Sequence, residues 1–89
     1  MENWTEMPSE HLTGNGYRNI IRGWKNTEAR LNNEVLVYRT EGTDVEATAE
    51  GEFAVQHPLD EEGLNTHFFD DEDAALDYAK EYMKDNPTV

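Results

Sequence analysis

Two histidines and a carboxylate are the residues best placed to do chemistry in this chain. His57 and His67 stand on either side of a turn, on two segments that read as consecutive antiparallel strands. Cross-strand neighbours lie about 5 Å apart at Cβ. With Asp70 just downstream, two imidazoles and a carboxylate form a ligand set for zinc or another divalent ion. The spacing matches no metal signature, and the plainer reading is two strand histidines bonded to loop carbonyls. The run Asp70–Asp73 lacks the glycine and the terminal glutamate of a calcium loop. It reads instead as a capped helix start, with Asp70 as the capping residue. The chain has one serine, Ser9, and no cysteine, so no nucleophile sits in a recognisable setting. Thr13-Gly14-Asn15-Gly16 lacks the lysine and preceding strand of a phosphate loop. These residues imply no cofactor and no small-molecule substrate, and the chain reads as not an enzyme.

The second constellation is basic. Residues 17–30 hold Arg18, Arg22, Lys25 and Arg30 against Glu28, with Tyr17 and Trp24 interleaved. Arginine on phosphate and aromatics on bases is the footprint of a nucleic-acid contact. On that reading Arg18, Arg22, Lys25 and Trp24 belong to a regulator that touches nucleic acid. The competing reading is that this segment neutralises acidic parts of the same chain or of a second copy. An acidic mimic of DNA is a smaller alternative.

The elements that must position these groups are few. Tyr17, Ile20, Ile21, Trp24 and Leu31 share one arc at helical spacing, which predicts an N-terminal helix over 17–31. Gly23 and the Asn/Thr content oppose it, with an extended segment around Gly23-Trp24 as the rival. Three strands follow at about 34–40 (EVLVYRT), 53–57 (FAVQH) and 64–69 (LNTHFF), with an acidic loop or short edge strand between the first two. A C-terminal helix over 71–85 has acids in its first turn and Lys80 and Lys84 towards its end, as the helix dipole favours. Its apolar and aromatic residues, including Tyr78 and Tyr82, span an arc of about 200°, wider than the ~100° stripe one neighbour needs. The expected fold is α+β: a three-stranded antiparallel sheet with both helices on one face. Residues 1–16 read as an irregular arm before a single domain at 17–89.

The solvent leaves the strongest mark. Twenty acidic side chains face seven basic ones in 89 residues, a formal charge of −13. The charge is spread over residues 31–89, while residues 1–30 balance. Such a domain repels itself unless ions screen it. Three lysines against thirteen glutamates and seven aspartates make the composition resemble salt-adapted cytoplasmic proteins of halophilic archaea. The stretch FFDDEDAALDYAKEYM is similar in pattern to the closing strand-to-helix unit of small uncharacterised halophile proteins. The resemblance implies a salt-rich cytoplasm and no activity. No apolar run approaches a membrane span, and Met1 to Ser9 shows no signal-peptide pattern. The function this supports is a small protein–protein binding or adaptor module, with itself or another protein as partner. The extra width of the last helix, with Tyr78 and Tyr82, suits a homodimer. Thermal melts by circular dichroism should therefore shift upward from dilute buffer to about 1 M KCl, where the screening length falls to about 3 Å. An unchanged midpoint removes the screening account.

Overall fold

The computed structural model describes residues 3–12, 19–28, 34–58 and 62–87. Five strands form one antiparallel sheet in chain order: β1 (Trp4–Glu6), β2 (Ile20–Asn26), β3 (Glu34–Arg39), β4 (Phe53–Gln56) and β5 (Thr66–Phe69). One α-helix occurs among the described residues: α1 (Glu72–Asp85) follows β5 and packs on one face. The α+β class and the C-terminal helix agree with expectation. Five strands replace the expected three.

The N-terminal helix is not formed over the described part of 17–31; residues 20–26 are β2. The physical reason lies in the ladder. A register shift between Ile20 and Arg22 resets the side-chain alternation, so the adjacent isoleucines no longer spoil a strand pattern. Beyond it, Arg22, Trp24 and Asn26 share the face that α1 covers. Gly23 lies on the other face, where an added Cβ would sit 2.8 Å from Met7 Cε and 2.9 Å from Leu36 Cδ2. The glycine that weakens a helix is thus the residue that lets neighbouring side chains close over the back of the sheet. Residues 4–6 of the arm expected to be irregular pair with β2 as Trp4 opposite Asn26 and Glu6 opposite Trp24. A 3₁₀ turn follows at Ser9–Leu12. The acidic loop after β3 carries a 3₁₀ turn at Glu46–Thr48 where an edge strand had been the alternative.

The core sits between the sheet and α1. Val35, Val37 and Val55 are fully buried beneath Ala75, Ala79 and Met83, with Trp4, Trp24 and Phe53 closing the sides. Burying each such large side chain contributes about 1.5–3 kcal/mol. Asp71, not Asp70, caps the helix: its carboxylate accepts the Ala74 N–H at 2.7 Å. Residue 71 has the extended backbone a cap requires, which places the helix start one position later than the acidic run alone indicates. At the far end Trp4 Nε1 donates to the Asn86 carbonyl at 2.9 Å. Asn3 Nδ2 and Asn26 Nδ2 donate to the Pro87 carbonyl at 2.9 and 3.1 Å. The helix therefore leaves one edge of the sheet at β5 and is tied down at the other edge by β1 and β2.

The back of the sheet is partly covered. Tyr38 and Ala54 are buried, and Leu36 and Phe68 are half-buried. Burial pushes the Tyr38 hydroxyl above its ordinary pKa. Gly51 marks the closest backbone approach. A Cβ there would lie 2.5 Å from the Phe69 carbonyl oxygen and 2.9 Å from the Phe69 nitrogen. Backbone atoms of a paired strand cannot move aside as a side-chain tip can. Gly51→Ala should therefore destabilise by about 1–3 kcal/mol in urea unfolding, the usual cost of overpacking. Wild-type stability in that variant means the approach is not close.

Candidate functional site

The outer edge of β5, and the ring cluster behind it, form the most distinctive surface of the molecule. The hydrogen-bond parity of β4 sets which groups face outward. Thr40 N–H donates to the Glu52 carbonyl at 3.0 Å, and His57 N–H donates to the Asn65 carbonyl at 2.9 Å. Alternation along an antiparallel strand then turns Ala54 and Gln56 towards β3, and Phe53 and Val55 towards β5. In β5, His67 and Phe69 bond inward to β4, while Thr66 and Phe68 direct their N–H and C=O outward. Among the described residues no strand lies beyond β5. Leu64, just before it, is 46% exposed and is the one exposed large apolar side chain among the described residues.

A stack of rings holds this edge from behind. His57 is buried, and its ring lies over Tyr82 at 4.3 Å between centroids and 14° between planes. His67 also stacks on His57, at 5.1 Å and 24°. Tyr78 fills the angle between His67 at 5.0 Å and Phe69 at 5.2 Å. The Nδ1 of His57 lies 2.7 Å from the Pro58 carbonyl, which can only accept, so Nδ1 carries a proton. In the neutral ring Nε2 then accepts from the Tyr78 hydroxyl at 3.1 Å. Alternation puts His57 and His67 on the α1 face of neighbouring strands, and α1 supplies both tyrosines one turn apart.

The structure brings His57 and His67 together but leaves Asp70 apart. Asp70 lies three residues beyond His67, about 10 Å along the chain. Both nitrogens of His57 are already bonded, and no group of three or more histidine or acidic side chains suited to a metal occurs among the described residues. Asp70 instead lines an open cleft of about 460 Å³ with Arg39, Thr40, Glu46, Glu52 and Phe53. Arg39 lies 5.6 Å over the Phe53 ring and 4.0 Å from Glu72, so the cation in this cleft already has partners.

The basic segment is divided. Arg18 lies outside the described residues. Trp24 is 1% exposed, a core residue with no face left for a base. Arg22 makes a two-pronged contact with Glu6, at 2.9 and 2.6 Å, and lies 4.9 Å over the Trp24 ring. Lys25 is exposed on the opposite face of β2. Tyr78 and Tyr82 are half-buried in the ring stack rather than spread on the surface. The Arg22–Glu6 tie and the β5 edge were not foreseen from sequence. The signal for the edge is the uncharged run LNTHFF between two acidic stretches. No protein-family model, no curated protein and no solved structure matches this chain.

The guanidinium hydrogen bonds hold the Glu6 carboxyl below its ordinary pKa; desolvation partly opposes this, and the charges of Arg22 and, more weakly, Lys80 reinforce it. A depressed folded-state pKa gives stability that is present above the unfolded value and lost as pH falls through the folded one. Both partners are partly exposed, so the contribution is about 0.2–1 kcal/mol. Glu6→Gln should lose that amount at pH 7, and the difference from wild type should close as pH falls below about 4. A gap of constant size across that range means that the charge is not what Glu6 contributes.

Proposed function

We propose that this protein is a small binding module that acts through protein–protein contact rather than catalysis. The observation that carries the reading is the outer edge of β5, beyond which no strand lies among the described residues. Natural sheets blunt their edges with lysine, proline, bulges or very short strands. β1, the opposite edge, is three residues long, and Trp4 in it is bonded to the helix end. β5 is four residues long and carries no lysine, proline or bulge: Thr66, His67, Phe68 and Phe69 are uncharged, regularly paired and half-buried. An edge left in this state suits a partner that supplies the next strand.

The ring stack supports the reading by fixing the strand before any partner arrives. His67 and Phe69 are held against His57 and Tyr78, so little ordering is left to oppose binding. The wide apolar arc of α1 supports an intramolecular role first, since Tyr78 and Tyr82 face the sheet. The nucleic-acid reading loses Trp24 to the core and the charge of Arg22 to Glu6, which leaves it weaker than protein contact.

Sedimentation velocity and affinity capture from the native cytoplasm, both in about 1 M salt, test this. Wild type should either self-associate or retain a protein that the double variant Leu64→Asp with Phe68→Asp releases. A monomer at every concentration that retains nothing overturns the reading.

A further inference from the structure

The residues around β5 carry a strong local charge. From Asp60 to Ala79 there are eight acids and neither lysine nor arginine. Glu62, Asp70, Asp71, Asp73 and Asp77 are exposed on the turn before the strand, at its far end and along the start of α1. The strand between them is uncharged. An approaching partner therefore meets backbone donors and acceptors in the middle and carboxylates at both ends.

We propose that the β5 edge binds an extended basic segment of another protein by strand addition. This rests on the protein-contact reading above and names the chemistry of the partner. The added strand exchanges main-chain hydrogen bonds with Thr66 and Phe68, as in recognition by sheet augmentation. Its apolar side chains meet Phe68 and Leu64, and its lysines or arginines meet the flanking carboxylates. Charge complementarity favours this occupant over a second copy. Antiparallel self-pairing centred on His67 would place Asp70 opposite Leu64 and Asp71 opposite Gly63, bringing the acidic flanks of the two chains together at each end. Like charges across an interface oppose association.

The probe is a blocked nine-residue peptide that alternates lysine with valine, beside a twin with glutamate for lysine. Both are titrated into the full chain at about 0.15 M and 1 M KCl and followed by amide NMR and hydrogen exchange. The lysine peptide should bind at least tenfold more tightly than its twin at the lower salt. That preference should shrink at the higher salt. The amides of Thr66 and Phe68 should gain protection. Thr66→Pro removes one outward donor at an edge position where proline is tolerated, and should weaken binding at least tenfold. A peptide methylated on alternate backbone nitrogens applies the same test with the protein unchanged.

Binding that perturbs the Arg39 cleft or the back of the sheet, and not Thr66 and Phe68, overturns the edge assignment and leaves the binding-module reading standing. Equal affinity for the two peptides overturns the basic partner. A dimer abolished by Thr66→Pro, with no peptide bound, assigns the edge to a second copy. No peptide bound and no association with any protein overturns both readings together.

Discussion

Three side-chain donors from the start of the chain hold the end of the chain, and the remainder of the fold depends on that clasp. Asn3, Trp4 and Asn26 converge on the carbonyls of Asn86 and Pro87. One helix is all that covers the apolar face of a five-stranded sheet among the described residues. It can do so only by crossing from β5 to the side of β1, and it must be fastened where it arrives. Asn26 is buried, and its Oδ1 accepts the Glu28 N–H at 2.8 Å, so both ends of its amide are bonded. With both ends of α1 anchored, Ala75, Ala79 and Met83 are pressed onto the three central valines. The small residues matter here, because they let the helix lie close enough to seal Val35, Val37 and Val55 from water.

The clasp also explains how a chain with so much like charge stays compact. Attraction is concentrated between the sheet and α1, where Val35, Val37 and Val55 meet Ala75, Ala79 and Met83. Repulsion is spread over the outside: Glu41, Glu46, Glu52, Asp73, Asp77 and Glu81 are all exposed. Exposed charges separated by more than a screening length interact weakly in salt, whereas buried contacts keep their strength. Arg22 is the exception that joins the two regions, capping the edge of the core over Trp24 while Glu6 neutralises it.

The two edges of the sheet are treated differently. β1 is short and bound to the helix end, so its position is set by the fold. β5 is longer, uncharged and backed by stacked rings, and its outward groups are presented on a strand already in place. The histidines belong to this support. His57 is buried with both nitrogens bonded, and its ring stacks on a tyrosine and on a second, half-buried imidazole. The same geometry that stiffens the strand gives both nitrogens of His57 a partner within the fold.

Much of this was legible along the chain, for a definite reason in each case. The helix at 72–85 shows its period, its acidic start and its lysine-bearing end, all local features. Strands β3, β4 and β5 show β-branched and aromatic runs bounded by turns. That His57 and His67 meet follows from the short turn between their strands. The cap falls on Asp71 and not Asp70, because one residue of extended chain turns a side chain to the other face. Strand β2 was hidden since its alternation is broken by the bulge at Ile20–Arg22, and Gly23 and Trp24 make sense only with Met7, Leu36 and Val35 beside them. Sequence by itself determined what is encoded by neighbours in the chain: composition, the last helix and the central strands. Tertiary structure alone decided β1, β2, the clasp on Pro87 and which strands end the sheet among the described residues, because each depends on groups brought together from distant parts of the chain, and no local pattern records that meeting.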